Sequence, residues 1–406
     1  MNRKQFGILV VLLIVLGGGG LLLQKRQNRE SSAGERGTGE KLLGENFPLN
    51  DVALISIKAG TNELNLVRKD DFWRVRERDD YPANFADISS FLLKARDLKV
   101  IQVEQVGASQ LGRLELAPPG QSNSGVVLDL KDKDGKAIRS LTLGKKHVRK
   151  PQGAQAAQFG EEGFPDGRYV MLSGKAQDAL LIGDALANVE PKPALWLKKD
   201  FFHVERPKAI AVTFPVATNS WRIVKDTESG EWKFAETKPE EKLDSTKVSG
   251  VSSPFSSPMF NDVVLPGAKP EDNGLDKPTV VTVDTFDDFS YTVNVGKKSG
   301  DDYAVTMTVA ANFPKERIPA KDEKPEDKDK ADKAWKERQK QLEDKLKEAK
   351  GFEKWTYLVP GYNVDPILKE RKDLLVEKKD EKKDGAASAD KTDSVTATPD
   401  AAAGKN

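Results

Sequence analysis

Short alternating apolar runs dominate the chain after residue 47. Leu54, Ile55 and Ile57 form the first, Leu64, Leu66 and Val67 the second, and Phe72, Trp73 and Val75 the third, with turn-forming clusters at Ala59–Asn62 and Lys69–Asp71. Alternation over four to eight residues between turn signals predicts a β-meander. The period then changes. Phe85, Ile88, Phe91, Leu92, Ala95 and Leu98 recur at helical spacing, with Asn84 placed as N-cap and Asp87 in the first turn. This helix is expected to cover one face of the sheet. Beyond a link from Val100 to Gly112, strands are predicted at Val126–Leu130 and Ile138–Leu143, joined through Asp134-Gly135, a strong hairpin signal. A Gln/Gly-rich loop over Pro151–Gly167, a strand at Tyr169–Leu172 and a helix over Ala176–Val189 complete this part.

The pattern recurs in the same order further along the chain. Ile55-Ser56-Ile57 is matched by Ile210-Ala211-Val212, Leu64-Asn65-Leu66 by Trp221-Arg222-Ile223, and Trp73-Arg74-Val75 by Trp232-Lys233-Phe234. Leu116-Ala117-Pro118-Pro119 corresponds to Leu275-Asp276-Lys277-Pro278, Leu143-Gly144-Lys145-Lys146 to Val295-Gly296-Lys297-Lys298, and Tyr169-Val170 to Tyr303-Ala304-Val305. The expected class is therefore α+β, with two tandem duplicated modules of antiparallel meander sheet plus packing helices, over residues 47–205 and 206–376. The second copy has a poor helical stripe over Glu240–Val251, a strand at Trp355–Val359 and a helix at Pro366–Leu375. It is interrupted by a charged helical insertion at 315–350, whose apolar line is Trp335, Leu342 and Leu346. That line fits either a solvated excursion of the fold or a partner-binding helix.

Ahead of both modules stands Phe6–Leu23, an uncharged run behind Arg3 and Lys4. As a helix it covers roughly 27 Å, close to a bilayer's hydrocarbon thickness. No Ala-x-Ala site follows, and Leu23 passes straight into Gln24, Lys25 and Arg26, so an uncleaved transmembrane anchor is expected rather than a signal peptide. Basic residues flank both sides, so the positive-inside count leaves the orientation open, although the short amino-terminal tail favours the bulk of the chain outside the cytoplasm. The segments follow as 1–28 for the anchor with its flanks, 29–46 for a flexible linker, and 377–406 for a disordered tail.

Composition narrows the chemistry. With 65 basic and 64 acidic residues the net charge is +1, which supplies no global field for nucleic acid. There is no cysteine and there are two histidines, His147 and His203, which excludes disulfides and thiol chemistry and leaves little for a metal site or a Ser-His-Asp triad. No catalytic, cofactor-binding or metal-ligating residues are assigned, and the chain is read as a non-enzyme. The basic run Lys145, Lys146, His147, Arg149 and Lys150 is a candidate anion-binding site for lipid headgroups or a glycan. The acidic sets Asp70-Asp71, Asp79-Asp80, Asp284 with Asp287-Asp288, and Asp301-Asp302 stand where the pattern wants turns.

Trp73-Arg74-Val75 followed by Tyr81-Pro82-Ala83 and a helix, then Leu-x-x-Pro, a hairpin ending in Leu143-Gly144, and Arg168-Tyr169-Val170 together resemble the bacterial DUF 4340 family, a domain of unknown function. The resemblance spans roughly residues 48 to 375. It implies a membrane-anchored envelope protein associated with ABC-type transport systems of the gliding-motility kind, with no catalytic residues to carry over. The expected function is a non-catalytic accessory or scaffold protein of an envelope transport complex, held in the bacterial inner membrane with a periplasmic bulk. The alternative is an extracytoplasmic module that binds anionic lipid or glycan.

Overall fold

The structure is a computed structural model that describes residues 37–149, 163–173, 178–236, 238–239, 241–253, 255–319 and 323–376. The expected anchor, Lys150, most of the Gln/Gly-rich loop and the carboxyl-terminal tail lie outside the described residues. Among the described residues no helix is long and apolar enough to cross a membrane.

The chain is α+β, with two antiparallel sheets and few helices. The first sheet contains β1 (Leu54–Ala59), β2 (Asn62–Lys69), β3 (Phe72–Val75), β4 (Tyr81–Pro82), β5 (Val100–Gln105), β6 (Val126–Lys131), β7 (Ala137–Arg149), β8 (Phe164–Leu172) and β9 (Asp178–Ile182). Its strand order is β4-β3-β2-β1-β6-β7-β8-β9-β5. The second contains β10 (Pro207–Thr213), β11 (Trp221–Val224), β12 (Lys233–Phe234), β13 (Asp262–Val263), β14 (Thr279–Thr285), β15 (Phe289–Ser299), β16 (Asp302–Ala311) and β17 (Tyr357–Pro360), in the order β12-β11-β10-β14-β15-β16-β17-β13. Apart from β4, the two orders are the same when read strand for strand.

Local chemistry explains the turns. Asp70 and Asp71, between β2 and β3, both have positive φ, as a two-residue hairpin of the primed type requires. Asp79, Asp80 and Asp288 also take left-handed conformations, so these acids serve as turn residues, a role that suits a short polar side chain. Gly144 and Gly296 each stand where the ladder slips register, between Leu143 and Lys146 and between Val295 and Lys298. A Cβ at Gly144 would lie 2.3 Å from the Leu114 carbonyl oxygen, and one at Gly296 would lie 2.2 Å from that of Asn273. Only glycine admits so close a backbone approach.

Helix α1 (Phe85–Asp97) begins at Asn84, whose side chain accepts from the Ala86 amide at 3.1 Å, and it buries Ile88, Phe91, Leu92 and Ala95 against the sheet. Helix α2 (Ser245–Val251) is capped in the same way by Asp244, which accepts from the Thr246 amide at 2.9 Å. Each helix start is tied to a later segment by the same bonds. Ala83 bridges Leu197, the Asn84 amide donates to the Trp196 carbonyl at 2.8 Å, and the Lys198 amide donates to the Pro82 carbonyl at 2.9 Å. In the second half Leu243 bridges Leu375, the Asp244 amide donates to the Leu374 carbonyl at 2.9 Å, and the Val376 amide donates to the Lys242 carbonyl at 3.0 Å.

Several expectations need correction. Residues 39–43, assigned by composition to the flexible linker, are part of the fold: Lys41 bridges Lys99, and Leu42 and Leu43 are buried in the core. The helix expected over Ala176–Val189 is instead strand β9, because a four-residue apolar run, Ala179–Ile182, buried throughout, fits a strand with neighbours on both sides. The link after Val100 holds β5 and a 3-10 helix at Ala108–Leu114. The helix expected over Pro366–Leu375 shrinks to a 3-10 segment at Arg371–Leu374, preceded by a four-residue helix at Gly361–Val364, since the chain must straighten to meet Leu243.

The two sheets share one continuous hydrophobic core. At their junction Arg78 grips Asp262 through two parallel bonds of 2.7 Å, with only 13% and 19% of the side chains exposed. Beside this pair the Tyr81 ring meets Phe260 at 5.9 Å, Trp355 at 4.8 Å and Tyr357 at 6.2 Å, all edge-on. The Lys199 ammonium donates to the Asn261 carbonyl at 2.5 Å and lies 4.7 Å from the Phe260 ring centre. Burial pushes the hydroxyls of Tyr81 and Tyr357 well above the usual phenol range, so both stay neutral. Replacing Asp262 with Ala strands a half-buried guanidinium and is expected to cost about 2 kcal/mol. Urea unfolding followed by tryptophan fluorescence should show one transition for both halves, displaced to lower urea.

Candidate functional site

The basic run predicted as an anion site lies along the outer part of β7, inside a strand rather than in a turn. The hairpin extends because β8 begins at Phe164, early enough to pair with Arg149. Three of the candidate residues there face carboxylates. His147 Nδ1 is 2.6 Å from Asp166 Oδ1, Arg149 Nε is 3.3 Å from Asp166 Oδ2, and Lys146 Nζ is 3.9 Å from Glu190. The His147 bond holds the Asp166 carboxyl below the usual range, with Arg149 adding to it. Glu190 is lowered first by Lys192, and also by the charges of Lys146 and Arg168. Lys145 is exposed. The surface around this strand is thus an interleaved set of both signs, and the field an anion meets there is weakened accordingly.

Next to Asp166 opens a cleft of about 390 Å³, walled by α1, the start of β8 and the loop after β9. Asp87, Asp166, Asp184 and Lys94 reach it. Lys94 lies 3.0 Å from Asp184, whose other oxygen accepts from the Leu186 amide at 2.7 Å, and Asp87 accepts from the Asn84 side chain at 2.5 Å. Behind the wall Arg168 is buried. Its Nε donates to the Gly144 carbonyl at 2.8 Å and its Nη1 to the Leu186 carbonyl at 3.3 Å, so the guanidinium joins the β7 bulge to the loop lining the cleft. Burial pushes its pKa down, opposed by the charges of Glu115 and Glu190. No local periodicity marked these residues: Asp166 and Arg168 find partners on the neighbouring strand, Asp184 meets Lys94 of α1, and Glu190 lies between Lys192 and Lys146.

The acidic set of the second half is divided among structural tasks. Asp284 accepts from Ser290 Oγ at 2.8 Å, while the largely buried Asp287 receives Arg206 at 2.5 Å and Arg338 at 2.8 Å. Among the described residues there is no group of three or more His, Asp or Glu side chains arranged to hold a metal ion.

The charged insertion forms helix α3 (Lys328–Lys350). Its apolar line turns inward: Leu342, 8% exposed, and Ala349 belong to the core, Leu346 packs on that core, and Trp335 is half-buried. Two of the three residues proposed for a partner, Leu342 and Leu346, are therefore engaged with the chain's own core. Ion pairs fix the helix at three places, through Arg338 to Asp287, Lys345 to Glu205 at 2.5 Å, and Asp332 to Arg317 at 2.6 Å, with Arg317 also paired to Glu323.

A family model described as a domain of unknown function (DUF4340) matches residues 73–278, just over half of the chain. The matched stretch runs from β3 across the junction to the residue before β14, so it takes in parts of both sheets. No curated protein and no solved structure matches.

Truncating Leu342 to Ala is expected to cost about 2 to 3 kcal/mol in denaturant unfolding, and the half-buried Trp335 less. The pH dependence has a definite sign. The bond from Lys345, more than any other neighbour, holds the Glu205 carboxyl below the usual carboxylate range in the folded chain. Stabilisation is therefore present above the unfolded carboxyl value and lost as pH falls through the lowered one. Stability should fall more steeply between about pH 5 and 3 for the native chain than for Glu205→Gln, as urea midpoints across that window will show.

Proposed function

The chain belongs to the DUF4340 family, and from that membership we propose that it is a non-catalytic, single-pass membrane protein serving as an accessory or scaffold subunit of an envelope ABC-type transport complex. The observation that carries this reading is how the charged side chains are used. His147, Arg149, Asp166, Arg206, Asp287 and Arg338, the residues from which chemistry would be built, are engaged in ion pairs that hold strands, helix and loops together. A scaffold needs such fixed surfaces, and an active site needs charge held in reserve at a reacting atom.

Two further features support the proposal. The equivalent strand orders, the paired bonds at Ala83/Leu197 and Leu243/Leu375, and the two glycine bulges fit duplication of one α+β module, which makes a large surface from a small fold. The run Phe6–Leu23 fits an inner-membrane anchor with the two halves on the periplasmic side. Purification of the full-length chain in mild detergent, with mass spectrometry of what accompanies it, should recover permease and ATPase subunits. A chain lacking residues 1–28 should lose them. Recovery of the protein alone would sink the accessory role.

A further inference from the structure

Strand β5 forms one end of the first sheet, and the second sheet shows how this fold closes such an edge. Free edges are commonly guarded by lysine, proline or a covering segment. The sequence of β5, VIQVEQ, has no lysine or proline, and it exposes Ile101 at 51% and Val103 at 38%. Among the described residues a covering segment is present only at its start. The Gly39 amide donates to the Val100 carbonyl at 2.8 Å and the Val100 amide donates to the Glu40 carbonyl at 2.9 Å, and Gly39, at positive φ, lies in a turn closed by the Glu40 amide on the Gly37 carbonyl. Counted by strand order, the equivalent of β5 in the second sheet is β13. There the edge is closed by the first half of the chain, through Arg78 on Asp262, Lys199 on the Asn261 carbonyl and Tyr81 on Phe260.

We propose that β5 is closed by a second copy of this chain, the two β5 edges pairing antiparallel about a twofold axis so that the nine-stranded sheet continues across a dimer. An antiparallel edge is complementary to itself, and twofold closure leaves no further edge open at that side. With the axis at Val103, Gln102 stands opposite the partner's Glu104, an amide against a carboxylate, and no like charges face each other. The pairing also continues an edge that the leading segment already uses. The two copies of Val100, where residues 1–36 join the fold, come within roughly 20 Å of each other at about 3.3 Å per residue. If Phe6–Leu23 is the anchor, two such runs then share one patch of membrane, and Gly17–Gly20 permits close helix contact. That last point rests on the membrane reading, and the strand pairing does not.

The chain has no cysteine, so single thiols can be placed cleanly. Full-length Val103→Cys in mild detergent, treated with a short bis-maleimide, should give a cross-linked dimer. Leu265→Cys, 61% exposed in the second half, should stay monomeric under the same treatment. Adding Ile101→Lys to Val103→Cys should abolish the cross-link while the circular dichroism spectrum is kept. Cross-linking of Val103→Cys no greater than that of Leu265→Cys overturns the proposal, and so does cross-linking that survives the lysine. The outcome is independent of whether transport subunits accompany the chain, so failure here is distinct from failure of the accessory role.

Discussion

The grip of Arg78 on Asp262 is the contact on which the unity of the molecule rests. Two sheets built by local rules meet largely through apolar surface, which favours contact but sets no register. A planar guanidinium bound by both carboxylate oxygens admits one arrangement. It fixes the β4 side of the first sheet against β13 of the second, and the Tyr81, Phe260, Trp355 and Tyr357 rings fill the space beside it. Because those phenols remain neutral and their rings meet edge-on, the aromatic cluster adds burial without adding charge that needs a partner. The single core that runs through both halves depends on this arrangement.

Differences between the halves follow the same economy of coverage. Helix α1 has thirteen residues and buries four side chains on its sheet, whereas α2 has seven and buries Val248 and Val251. In the second half Leu342 and Ala349 of α3 join the same core, so the charged insertion supplies apolar cover that the shorter helix lacks. Its highly polar composition reflects the exposed sides of a helix seated by a narrow stripe.

The sequence makes the local part of this fold legible. Alternation marks β1 to β3, Asn84 marks the start of α1, and the paired aspartates mark turns, because each signal lies within a few residues of what it specifies. What remained hidden is non-local. Asp262 is 184 positions from Arg78, and Asp166 is 19 from His147, so neither pairing leaves a local pattern. The basic run is conspicuous in one dimension and largely matched by acid in three. Leu42 and Leu43 were obscured by the Gly and Glu around them, and β9 by an apolar run too short to carry a period. The agreement of the two strand orders was foreshadowed by recurring motifs, while the closing bonds at Leu197 and Leu375 depend on main-chain atoms and carry no side-chain signature.

The ends of the described chain have a mechanical meaning. The leading segment joins the fold at the Lys41–Lys99 bridge beside β5, and the last described residues leave it at the Leu243–Leu375 bridge ahead of α2. Tension applied between the amino terminus and the carboxyl-terminal tail therefore acts first on these two terminal bridges, each a short ladder that opens bond by bond. Directly inside these bridges stand Leu42 and Leu43 at one end and Leu374 at the other, all core residues, so a pull on either terminus is felt by the shared core within one or two residues of where the chain enters it.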